Sequence, residues 1–103
     1  MSTGAAPQRP ESGVRGWTFL TNHAHVLLAV ARDPTARLRD VADTIGITER
    51  AAQAIVADLE AAGYLTRERV GRRNHYTVNR AGHFRHPAEA QQRIGDLLDL
   101  FTR

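Results

Sequence analysis

Apolar residues recur at helical spacing in three successive blocks of the 103-residue chain, and a hairpin pattern follows the third. In the first block Ala24, Leu27, Leu28 and Ala31 share one face, while Val26 and Val30 lie nearly opposite. The spacing predicts a helix capped by Thr21 or Asn22 and running to about Arg32. Asp33-Pro34 ends it, because the residue before a proline is pushed out of the helical region. In the second block Val41, Ala42 and Ile45 point inward on a helix from about Arg39 to Ile45. The third stripe is Ala52, Ile55, Val56 and Leu59, on a helix capped by Thr48 and running to about Ala62. Gly46 and Gly63 stand where a left-handed residue ends each of these two helices, and Ile47 packs the turn between them.

Arg37 and Leu38 are expected to form a short strand beside the later hairpin. The hairpin itself reads as a strand over Tyr64–Val70 and a return strand over His75–Val78, anchored by Leu65, Tyr76 and Val78. Its turn is Gly71-Arg72-Arg73-Asn74, with Gly71 and Asn74 the residues that tolerate positive φ. Residues 79–86 make a connector. His86-Pro87 then starts a last helix, since proline suits the first helical position, and Ala90, Ile94, Leu97, Leu98 and Phe101 form its stripe. Residues 1–16 are rich in Gly, Pro and Ser and read as a disordered tail. The expected organisation is that tail, a folded helix–helix–hairpin unit over 17–80, and a connector with a C-terminal helix over 81–103. The fold class is α+β, mainly helical.

Charge sharpens this reading. All 14 basic residues are arginine, and the net charge is +3. Residues 64–86 hold six arginines against one glutamate, whereas residues 21–63 hold four against six carboxylates. A local excess of that kind is what a phosphate contact requires. On the third helix, a step of about 100° per residue puts Arg50, Ala54 and Ala57 opposite the apolar stripe, with Gln53 on the flank. Thr48, Glu49, Arg50 and Gln53 crowd its first half, and Ala54 is short enough to let the backbone sit deep. Arginine can pair with guanine, glutamine with adenine, and glutamate can accept from cytosine. Thr48 either caps the helix or bonds phosphate. Two crossing helices joined by a tight turn place the second in the major groove. A hairpin with Arg67, Arg69, Arg72 and Arg73 then braces the neighbouring backbone.

The succession over Arg37–Val78, RLRDVADTIGITERAAQAIVADLEAAGYLTRERVGRRNHYTV, resembles the winged helix-turn-helix regulators of bacteria, closest to the MarR and ArsR groupings. Leu38, Val41, Ala42, Gly46, Thr48, Leu59, Gly63, Tyr64 and Leu65 carry the likeness. The resemblance implies DNA-binding transcriptional control, usually by a two-fold dimer; a cytoplasmic location is expected because the N-terminus has no apolar leader segment and no run is long enough to span a membrane. It matches Thr48 to Gln53 with the base-reading segment and Arg72 and Arg73 with the wing tip. MarR-type proteins carry more helix on both sides of this core, forming a dimer domain and ligand cleft, whereas this chain has one short helix after the hairpin. ArsR-type metal sensing would lack its cysteines, because the chain has none.

Other constellations change little. His23 and His25 point about 200° apart on a helix, and His83 and His86 have no acidic partner at ligand spacing, so no metal is expected. Asp40 and Asp43 suit a helix start and a solvated face. No nucleophile motif or phosphate loop occurs, so neither catalysis nor a cofactor is expected, and no pattern nominates a small-molecule effector. No apolar run approaches the roughly 20 residues of a membrane span. Trp17 and Phe19 are expected to cover the first helix. Val26 and Val30, together with Ile94, Leu97, Leu98 and Phe101, leave two stripes to be covered, either by the last helix folding back or by a second copy. A homodimer through these six residues is the expectation. The competing class is a winged-helix module that binds protein or RNA, for which Glu49 on the reading helix argues and the arginines do not.

Overall fold

The computed structural model describes residues 16–102. The expected tail lies, apart from Gly16, outside them. In chain order the elements are α1 (Asn22–Arg32), α2 (Leu38–Ile45), α3 (Glu49–Ala61), β1 (Leu65–Val70), β2 (Arg73–Val78) and α4 (Ile94–Thr102), with a short 3-10 turn at Pro87–Glu89.

The caps follow local chemistry. Thr21 Oγ1 accepts from Ala24 N–H at 3.1 Å, and α1 ends at Asp33. Gly46, at φ 92°, terminates α2 with its N–H on Ala42 O. That left-handed residue reverses the chain within three residues, so α2 and α3 cross closely.

Arg37 and Leu38 are not a strand. Arg37 is the N-cap of α2 and Leu38 its first residue. The chain has committed to the helix by Leu38, and the backbone bond from this segment to the hairpin is made by Pro34 O, which accepts from Tyr76 N–H at 2.8 Å. The sheet of the described residues is therefore the antiparallel β1–β2 pair, with Leu65 opposite Val78 and Val70 opposite Arg73. That register leaves a two-residue turn, Gly71-Arg72, instead of four. Gly71 alone has positive φ, at 64°, as a type II′ turn requires, and Asn74 is an ordinary strand residue.

The core gathers Val26, Leu27, Leu28 and Val30 of α1, Val41 of α2, Ile55, Val56 and Leu59 of α3, Leu65 and Tyr76 of the hairpin, and Ile94 and Leu98 of α4. This corrects the expected dimer contact. Val26 and Val30 are fully buried and Ile94 and Leu98 nearly so, all within their own chain, because α4 folds back onto α1. Arg32 fastens the end of that helix by donating to Phe101 O at 3.0 Å. Leu97 is half-buried, and only Phe101 of the six remains exposed.

The last helix also starts later than the proline suggested. His86 Nδ1 accepts from Ala88 N–H and caps only the 3-10 turn. The chain then doubles back: His83 bridges Arg93, Phe84 N–H donates to Gln92 O, and Ile94 N–H donates to Gly82 O at 2.7 Å. Ala90 is thus an exposed loop residue and not part of the stripe. Trp17 and Phe19 do not cover α1. They stack edge to face with centroids 5.0 Å apart and are 76% and 90% exposed. No helix among the described residues is long and apolar enough to cross a membrane.

Candidate nucleic-acid interface

The core stripe of α3 decides what its other face shows. With Ala52, Ile55, Val56 and Leu59 buried, Glu49, Arg50, Gln53, Ala54 and Ala57 are exposed. Thr48 acts as the cap: its Oγ1 accepts from Ala51 N–H at 3.0 Å. The first half of α3 therefore presents one acidic, one basic and one amide side chain, followed by two alanines that leave the backbone accessible.

The hairpin stands beside this face. Its strand period places Leu65, Arg67 and Arg69 on one side, opposite Val78, Tyr76 and Asn74. The same side is apolar at the root, where Leu65 and Tyr76 enter the core, and basic toward the tip. The arginines are held in different ways. Arg67 pairs with Glu60 of α3 at 3.0 Å, which fixes the hairpin's angle to the helix. Arg69 Nε donates to Gly71 O at 3.2 Å, across the turn. Arg73 donates to Thr35 O at 2.9 Å, so it ties the hairpin to the α1–α2 loop instead of standing at the tip. Arg72 is the tip residue.

Between the hairpin, the start of α3 and the start of α2 lies an open groove of about 660 Å³. Its walls carry Arg37, Arg39, Arg67, Arg72 and Arg73, with Glu49 as the one carboxylate, and Gln53 also borders it. Thr48, Arg50, Ala54 and Arg69 lie outside this lining. Arg50 sits on the adjoining exposed face of α3. Arg37 and Arg39 are wall residues that the apolar pattern does not single out, since Arg37 falls in the expected strand and Arg39 at the expected helix start. The available signal was two arginines at the positive end of a helix, where local electrostatics disfavours them.

Elsewhere His23 Nε2 and Asp58 Oδ2 lie 2.8 Å apart, joining α1 to α3. Among the described residues no group of three or more His, Cys, Asp or Glu side chains comes together. A second cleft, of about 670 Å³, lies between the start of α1, the α2–α3 turn and Phe101.

Comparison with known proteins agrees with this architecture. The family model described as the MarR family matches residues 17–73, over half of the chain. Among curated proteins no sequence matches. A solved structure, that of the PcaV transcriptional regulator from Streptomyces coelicolor in complex with its natural ligand, superposes with a TM-score of 0.50 at 23% identity. The match covers 65% of this chain and 48% of that one, so the chain spans about half the length of that regulator, and the likeness is one of fold. The α2–turn–α3 pair, the basic hairpin after it and the family match lead to one assignment: the chain belongs to the MarR family of winged helix-turn-helix transcriptional regulators.

Proposed function

We propose that the chain binds duplex DNA in a sequence-specific manner and regulates transcription as a homodimer. In this reading α3 enters the major groove and the hairpin lies on the flanking backbone or in the minor groove. The observation that carries it is the exposed first half of α3 bordering a groove with five arginines and one glutamate. Base edges are met by the N-terminal residues of a recognition helix. Arg50 and Gln53 carry the side chains suited to guanine and adenine. Arg67, Arg69 and Arg73 hold the hairpin in place, and Arg72 reaches the backbone. Dimerisation is supported by the apolar surface left uncovered along the end of α4: Leu100 is 65% exposed, and Phe101 lines the cleft that the Trp17–Phe19 segment borders.

Titration of labelled duplex over a series of salt concentrations tests the reading. If a dimer neutralises about six phosphates, log affinity against log salt has a slope near −5. Arg50→Ala costs roughly 1–3 kcal/mol on the best site and relaxes base preference there. Arg72→Ala weakens every sequence alike. No binding at low salt, or binding indifferent to salt, overturns the proposal.

A further inference from the structure

We infer that the groove between the start of α2 and the hairpin is a seat for the sugar-phosphate backbone of the duplex, with Arg37 and Arg39 as its second wall. This deepens the DNA-binding reading above and rests on it.

Three observations lead there. First, Arg37 and Arg39 stand at the wrong end of a helix. Arg37 is the N-cap of α2 and makes no side-chain capping bond, and Arg39 lies in the first turn. Cations there oppose the helix dipole, so nothing in the stability of α2 accounts for them. Asp40 in the same turn suits the helix start but forms no ion pair with either arginine among the described residues, and a local rule broken in this way marks a residue placed for a partner.

Second, their guanidinium groups are uncommitted. The hydrogen bonds and ion pairs of the described residues engage Arg32, Arg67, Arg69, Arg73 and Arg80. Arg37, Arg39 and Arg72 are exposed and have no side-chain partner among the described residues. Glu49 lines the same groove and still pairs with none of them.

Third, these charges face one another across a single space. Arg72 and Arg73 belong to the hairpin wall, Arg37 and Arg39 to the α2 wall, and Arg73 is pinned by Thr35 O just ahead of Arg37 in the chain. Like charges held on two sides of one groove repel, and an anion lying between them relieves that repulsion.

The form of the groove favours a polyanion over a free phosphate. No arginine on its walls is buried, and the charges are spread from the helix start to the hairpin tip instead of converging on one enclosed point. An array of exposed guanidinium groups is met by an array of phosphates. The groove also opens beside Glu49 and Gln53 of α3. In a helix pair of this kind the first helix crosses the backbone while the second enters the major groove. Arg37 and Arg39 are thus positioning residues. They set where α3 sits on the duplex and carry no base preference of their own.

The test uses the full chain with a selected site and with random duplex. The pair Arg37→Gln with Arg39→Gln removes both charges but keeps the aliphatic stems, and the pair Arg37→Lys with Arg39→Lys restores charge without the planar fork. The glutamine pair weakens selected and random duplex by the same factor, shallows the salt slope by about two for each bound chain, and leaves the base preference intact. The lysine pair recovers the slope. If the glutamine pair does not fold, as judged by circular dichroism, the two single glutamine variants are read in the same way, each with a slope change of about one. A wild-type slope in the glutamine variants, or an altered base preference, overturns the backbone seat while leaving DNA binding by α3 intact. Displacement of duplex by millimolar inorganic phosphate, abolished in the glutamine pair, would assign the groove to a free anion and overturn the inference too. A wild-type chain that binds no duplex at low salt removes the DNA-binding reading and this seat together.

Discussion

At Gly46 a single residue carries the geometry of the helix pair. Its φ of 92° lies in the left-handed region, where a side chain meets the following carbonyl. Thr48, two residues on, spends its hydroxyl on capping α3. Turn and cap together set the distance from the buried Val41–Ala42 face of α2 to the first exposed residue of α3. Gly46→Ala is therefore expected to destabilise the protein by about 1–2 kcal/mol, read as a shift in denaturant midpoint at constant slope. An unchanged midpoint would mean that the turn relaxes and does not set the crossing. Both residues were legible in sequence, since glycine after an apolar helix and threonine before one have local physical causes. The role of Arg73 was not. Its number places it at the hairpin tip, but its guanidinium reaches Thr35 O, 38 residues earlier in the chain, and such a bond exists only once α1 and β2 are packed.

Among the elements, α1 to α3 follow their apolar periodicity to within one residue, and α4 does not. Proline marked a helix start at His86, and a 3-10 turn did form there. Continuation was stopped by tertiary hydrogen bonds. The carbonyls of Arg80 and Gly82 take the N–H groups of Gly95 and Ile94, and the His83–Arg93 bridge holds the loop against itself. Those bonds place α4 with Ile94 and Leu98 facing inward, and the return of α4 to α1 closes the core. A large buried side chain truncated to alanine leaves a cavity as well as losing transfer energy. Leu98→Ala is expected to cost about 2–5 kcal/mol in chemical denaturation, a large share of the stability of a domain of this size. A loss below about 0.5 kcal/mol, the range of surface substitutions, would show that α4 is not docked.

For the whole molecule, the core is closed by its own chain, and apart from Val70 beside the hairpin turn the large apolar side chains left exposed belong to the segment before α1 and to the end of α4, which border one cleft. Trp17, Phe19, Leu100 and Phe101 are exposed, and Phe101 lines the cleft between α1 and the α2–α3 turn together with Thr18 and Leu20 of the segment that carries the two rings. Clustered aromatic and aliphatic exposure of this kind marks an association surface. The proposed dimer therefore forms through this end and not through Val26 and Val30. Wild-type protein is expected to sediment as a dimer. Phe101→Glu, at a side chain 43% exposed, is expected to give a folded monomer that binds a palindromic site more weakly. A wild-type chain that stays monomeric in solution and on DNA would leave the exposed end without that role.

Contacts between near neighbours make the helix-turn-helix, the basic hairpin after it and the exposed face of α3 legible in the residue order alone. Period 3.6 selects which side of α3 is buried, glycine and threonine set the turn and cap, and Gly71 marks the hairpin turn, although its two-residue length follows from the Val70–Arg73 register and not from the residue order. The rest came from packing in three dimensions. It assigned Val26, Val30, Ile94 and Leu98 to the core of one chain, left Trp17 and Phe19 outside it, and brought Arg37 and Arg39 across a groove from Arg72. A periodic stripe states that a face must be covered and is silent on what covers it. Likewise, the position of an arginine along the chain gives its charge but not the residues it faces. Both are settled by packing between segments far apart in sequence, and no local pattern encodes that.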